Sequence, residues 1–91
     1  MRLTIDDTQK DVKKFVEEIK WKTESSEIFN HLVEEIGEIA RALRKKDKEN
    51  LKEELADTLF LLLKLSNQED INLSEAFTKK FRSIKEKHQL R

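Results

Sequence analysis

The chain has 91 residues, with 19 basic and 19 acidic side chains, one glycine, no proline and no cysteine. Its length allows one small domain near the stability margin, and the missing cysteines exclude a disulfide framework or a thiolate metal site. Balanced charge argues against binding a nucleic-acid polymer, and the longest apolar run, Leu59 to Leu63, is far too short to cross a membrane.

The opening MRLTIDDTQK lacks the apolar stretch of a secretory signal, so a cytoplasmic protein is expected. With both strong helix breakers nearly absent, four helices and no strand are predicted. The first runs from about Ile5 to Lys22, capped by Thr4, with Asp7 in its first turn and Val12, Phe15, Val16 and Ile19 as its apolar stripe. The second runs from about Ser26 to Lys45, capped by Ser25 or Ser26, with Phe29, Leu32, Val33, Ile36, Ala40 and Leu43 along one face. The connector RKKDKEN is either a turn or a frayed end joining the next helix.

The third helix covers roughly Leu51 to Ser66 and is apolar around most of its circumference after Leu59. Such a helix belongs at the centre of an assembly, and three short neighbours could hardly cover it. The segment NQEDIN makes a loop. Asn72 with Glu75 then gives a capping-box-like start to a fourth helix, which continues to about Lys87 with Ala76, Phe77, Phe81 and Ile84 on its buried side. The expected fold is all-α: an antiparallel bundle of about four helices in one domain over residues 1–91, completed by oligomerisation as a homodimer or homotetramer.

Two acid pairs share one spacing. Glu35 and Glu38 lie three apart in the second helix, as do Glu54 and Asp57 in the third, so each pair occupies one helical face. At 100° per residue, Glu35 falls at the edge of the apolar arc, while Glu54 and Asp57 lie on the stripe continued by Thr58, Leu61 and Leu65. A carboxylate among leucines needs a cation or a hydrogen-bonding partner, and hard oxygen ligands suit Mg²⁺, with Mn²⁺ as a substitute. The same spacing also occurs on solvated surfaces in a chain this acidic. Glu34 and Glu53 each point about 100° from their neighbour, as surface residues or outer ligands. Gly37, in mid-helix, is either a tolerated surface residue or a point of close approach.

The stretches LVEEIGEIARAL (Leu32 to Leu43) and EELADTLFLLLKL (Glu53 to Leu65) resemble the MazG-type nucleoside triphosphate pyrophosphohydrolases, the all-α group that includes the dCTP pyrophosphatases. That family carries Glu-Glu-x-x-Glu, a spacer, then Glu-x-x-Asp. Glu34, Glu35 and Glu38 match the first part, Glu54 and Asp57 the second, with 15 residues between Glu38 and Glu54. Phe15 and Trp21 resemble the family's opening, and EDINLSEAFTKKF resembles the segment before its last helix. The resemblance implies Mg²⁺-dependent cleavage of a nucleoside triphosphate to monophosphate and pyrophosphate in an oligomeric helical bundle. It implies a metal site of Glu35, Glu38, Glu54 and Asp57, with Glu34 as a further ligand or water-positioning group. Glu35 or Glu38 would also guide the attacking water. Lys80 and Lys87 match basic positions of the last helix and are phosphate-binding candidates, while Ile84 stands where asparagine is usual.

Trp21 is a candidate base-stacking residue, partly buried beside the substrate pocket. His31, one turn before Glu35, is a second pocket candidate. The rival to an enzyme is a non-catalytic helical dimer that holds nucleotide or a partner protein.

Overall fold

The structure, a computed structural model, describes residues 3–88. These residues form four α-helices and no strand: α1 (Ile5–Glu18), α2 (Ser25–Arg44), α3 (Lys48–Gln68) and α4 (Leu73–His88). Thr4 caps α1 as expected, its hydroxyl accepting from the Asp7 N–H at 3.0 Å, and Asn72 caps α4 by accepting from the Glu75 N–H at 3.0 Å. At α2 the cap is Glu24 rather than a serine: its N–H donates to Glu27 Oε1 at 2.9 Å, while the Ser25 hydroxyl turns to the Glu69 carboxylate. The last three residues of the charged connector, Lys48 to Asn50, belong to α3. Asp47 accepts from the Asn50 N–H at 3.1 Å and starts the helix, leaving Lys45 and Lys46 as the turn.

Three helices end in the same way. Lys20 (φ 56°), Lys46 (φ 54°) and Asp70 (φ 56°) are left-handed. The next residue's N–H reaches back into the helix each time: Trp21 to the Val16 carbonyl at 3.0 Å, Asp47 to Ala42 at 3.0 Å, and Ile71 to Ser66 at 2.8 Å. This Schellman closure usually carries glycine, and a residue with a Cβ pays about 1–2 kcal/mol to adopt it. Lys20 is why α1 stops at Glu18 instead of reaching Lys22. The expected loop after Ser66 is shorter than NQEDIN, because α3 continues through Gln68 before Asp70 closes it.

The α2–α3 hairpin is the main packing unit. α1 lies on α3, and α4 packs chiefly on α1. Ile28, Leu32 and Leu61 form the central cluster, with Phe60 and Leu65 against it. The face α2 turns inward is therefore Ile28, Leu32, Glu35, Ile39 and Ala42, one residue step round from the expected stripe. Of that stripe only Leu32 is buried; Phe29, Val33, Ile36 and Leu43 are each about half exposed. α2 carries two adjacent apolar arcs, and a single chain covers one. α4 departs from expectation likewise: Ala76, Phe77, Phe81 and Ile84 are exposed rather than buried, and a single chain buries no residue of this helix.

Among the described residues three polar or charged side chains are buried, Gln9, Lys64 and Ser66. Gln9 is 6% exposed, and its amide is fully used. Nε2 donates to Asn67 Oδ1 at 2.9 Å and to the Ile71 carbonyl at 2.7 Å, and Oε1 accepts from the Leu73 N–H at 3.0 Å. Asn67 Nδ2 returns a bond to the Gln9 carbonyl at 3.1 Å. The pair fastens α1 to the α3–α4 joint.

The chain is open for its size. Its radius of gyration is 15.3 Å, against about 12 Å for a compact domain of this length. Its accessible surface is 7735 Å², against about 5,600 Å² for a folded monomer of this mass. Among the described residues no helix is long and apolar enough to cross a membrane.

Candidate metal centre and substrate cleft

The inner arc of α2 places Glu35 opposite α3 at the level of Glu54 and Asp57. One carboxylate oxygen from each of these three residues lies within 4.8 Å of the other two. The Glu35 side chain is only 15% exposed; its Oε1 stands 3.6 Å from His31 Nε2, and its Oε2 is buried with no hydrogen-bond partner. With Glu54 ionised, Glu35 keeps a buried carboxylate oxygen without a donor, which is costly.

The electrostatics carry the same mark. The Glu54 carboxyl is pushed up from 4.5 to about 7. The first cause is the hydrogen bond its protonated form makes to Glu35, followed by desolvation and by the negative charges of Glu35, Asp57 and Glu38. Below neutral pH this crowd of carboxylates holds a proton at Glu54. An all-carboxylate donor set with an orphaned oxygen fits a hard divalent ion such as Mg²⁺ or Mn²⁺.

The other candidates are distributed unevenly. Glu38 is exposed and outside the three-oxygen cluster, although its charge is felt at Glu54. Glu34 is exposed on α2. Trp21 and His31 meet the carboxylates directly: a cleft of about 250 Å³ is lined by Trp21, His31, Glu35, Asp57, Phe60 and Leu61. The Trp21 ring stacks on Phe60, centroids 6.2 Å apart at 28°. Lys80 and Lys87 are exposed on α4 and do not line this cleft. A larger cleft of about 500 Å³ shares Trp21 but contains none of the three clustered carboxylates, so volume alone would mislead here.

Two residues escaped the sequence reading. Phe60, three after Asp57, forms the aromatic floor of the cleft. Lys64, seven after Asp57, is buried at 5% exposure with its Nζ 3.5 Å from the Trp21 ring centroid. Their only advance signal was helical spacing from Asp57, which puts positions three and seven later on the same side of α3.

The MazG nucleotide pyrophosphohydrolase domain matches residues 23–91. The chain belongs to this family. Comparison with curated proteins gives no match. The MazG match takes in α2, α3 and α4, and so all three converging carboxylates, while α1 and Trp21 precede it. Membership makes the chain one of a hydrolase family.

Proposed function

We propose that this chain is a Mg²⁺-dependent nucleoside triphosphate pyrophosphohydrolase that releases monophosphate and pyrophosphate. The observation that carries the reading is the convergence of Glu35, Glu54 and Asp57, with an orphaned oxygen, at a cleft that Glu35 and Asp57 line together with an aromatic platform and His31. Glu35, Glu54 and Asp57 would hold the metal, with Glu38 joining from the cleft's edge and Glu34 as a further ligand or water-positioning group. A bound divalent ion neutralises phosphate charge and lowers the pKa of water. Glu38, exposed and close enough to influence Glu54, accepts the proton of the attacking water, with Glu35 as the alternative base. Trp21 and Phe60 offer flat apolar faces for a base, and His31 stands at the rim beside Glu35. Lys80 and Lys87 are assigned to the triphosphate. Because α4 packs on α1 and its lysines do not line the cleft, they would serve a neighbouring copy.

That copy is part of the proposal. The surface excess of about 2,100 Å² over a compact monomer is what one protomer buries in a large obligate interface. Phe29, Val33, Ile36, Leu55 and Leu59 supply apolar area to fill it. Sedimentation should give a dimer or tetramer, and Ile36→Glu with Leu59→Glu should dissociate it.

Product analysis tests the chemistry. A nucleotide panel with Mg²⁺ should yield monophosphate and pyrophosphate, and chelation should abolish both. Nucleotide binding with no product released would establish the rival, non-catalytic reading. Unchanged turnover in Glu38→Gln would remove Glu38 from its role.

A further inference from the structure

Lys64 is the most deeply buried cation among the described residues, at 5% exposure. Among the described residues no carboxylate lies within ion-pairing distance of it; its close partner is the face of Trp21, 3.5 Å from Nζ to the ring centroid. Burial pushes its ammonium pKa down, and the charge of Glu27 offsets this only in part. A cation–π contact gives such a charge some support, and the ammonium, without a protein hydrogen-bond partner among the described residues, keeps contact with solvent while its stem is buried. A methionine or leucine would fill the same space without that desolvation cost, so packing does not account for the charge.

Its position does. Asp57, Phe60 and Lys64 follow one side of α3 at intervals of three and four residues. Lys64 therefore sits two turns beyond the metal-facing end, about 10 Å along the axis. That is the reach from a metal-held phosphate, through the sugar, to the far edge of a base. Phe60 and Trp21 lie between as the stacking surface, and the cleft they line runs back to Glu35 and Asp57. Trp21 follows the left-handed Lys20 in the segment between α1 and α2 and is 40% exposed, so an incoming ring can reach it. Lys64 does not itself line that cleft; it reaches Trp21 from a separate recess of about 130 Å³ shared with Lys13, Val16, Glu17, Asn67 and Gln68, which leaves its head group space to turn.

We infer that Lys64 is a specificity-determining residue that reads the distal edge of the base and selects nucleotides with a carbonyl oxygen there over those with an amino group. The inference rests on the nucleotide reading of the cleft given above. Lysine has three donors and no acceptor. Guanine, hypoxanthine, uracil and thymine present an oxo acceptor at that edge, whereas adenine and cytosine present an amino donor. Donor facing donor leaves both groups unpaired after desolvation, so the discrimination comes as much from the rejected base as from the accepted one.

Two matched pairs test this, each differing by oxo against amino at one position: ITP with ATP, and UTP with CTP. Wild-type kcat/KM ratios should favour the oxo member by on the order of 10- to 100-fold, the range of a hydrogen bond to a charged group. Lys64→Met, which keeps the stem's packing, should bring both ratios towards one. Lys64→Arg, another donor-only cation, should retain a preference in the same direction. Melting temperature of each variant separates lost selectivity from lost folding. Absence of a wild-type preference, or a preference that persists in Lys64→Met, overturns the assignment. Should the wild type hydrolyse none of the four, the enzymatic reading fails by itself. The same ratios are then measured from binding of the four monophosphates, where equal affinities for oxo and amino members refute the role of Lys64.

Discussion

Removing the charge at Glu54 should uncouple metal binding from pH. In the fold the Glu54 carboxyl titrates near 7, against 4.5 for an ordinary glutamate, because Glu35 holds its proton and Asp57 and Glu38 repel its charge. The metal requires the carboxylate, so binding must expel whatever proton is present. A group with a pKa of about 7 is roughly 90% protonated at pH 6, half protonated at pH 7 and about 10% at pH 8. Calorimetric titration with Mg²⁺ in buffers of different ionisation enthalpy should thus detect release of about 0.9, 0.5 and 0.1 proton per site at those three pH values. The apparent affinity should fall towards tenfold per pH unit below 7. In Glu54→Gln the release should vanish and affinity should drop at every pH. The stability of the metal-free protein carries the opposite sign. The folded chain binds the extra proton between 4.5 and 7, so this contribution is complete below 4.5 and lost as pH rises through 7. Proton release at pH 6 indistinguishable from that at pH 8 would refute a shared proton in the cluster.

Three further predictions concern the scaffold. Gln9→Leu leaves the Ile71 carbonyl, the Leu73 N–H and Asn67 Oδ1 without their partner. It should lower stability by about 2–4 kcal/mol, with hydrogen exchange accelerated first at the start of α4; a loss below 1 kcal/mol in urea unfolding would show that water replaces the amide. Lys46→Gly relieves a left-handed side chain at an exposed turn and should raise stability by about 0.5–1 kcal/mol, read as a higher urea midpoint. A Cβ added at Gly37 meets nothing within 4 Å in a single chain, so Gly37→Ala should stabilise α2 by about 1 kcal/mol; weaker self-association in this variant, measured by sedimentation, would instead locate Gly37 against a second copy.

The helices were legible because they rest on local chemistry. Thr4 and Asn72 are side-chain caps that act within three residues, and the missing prolines left nothing to interrupt the segments between. The ends were harder, since Lys20, Lys46 and Asp70 take the conformation that glycine normally announces. For α2, periodicity alone could not choose between two apolar arcs about 100° apart; the choice depends on α3, which buries Ile28 and leaves Val33 and Ile36 outside. The acid spacing did indicate that Glu35, Glu54 and Asp57 share facing sides. It could not show that Glu38 stays exposed, because the distance between two helices is set by the residues packed between them. Lys64 and Gln9 were missed for one reason: charged and amide side chains are assigned to the surface by default, and only tertiary neighbours overturn that default.

The Gln9 clamp has a kinetic consequence. Its side-chain hydrogen bonds join residues 58 to 64 positions apart, whereas α2 and α3 are joined by Lys45, Lys46 and the cap Asp47 and can pair with little loop-closure entropy. The hairpin, which already contains all three clustered carboxylates, therefore forms early, and α1 closes over the α3–α4 joint late. The same order reversed governs opening. The Leu73 amide should exchange with solvent before the amides flanking Leu61, so that the acidic cluster outlasts the aromatic wall that Trp21 brings to it.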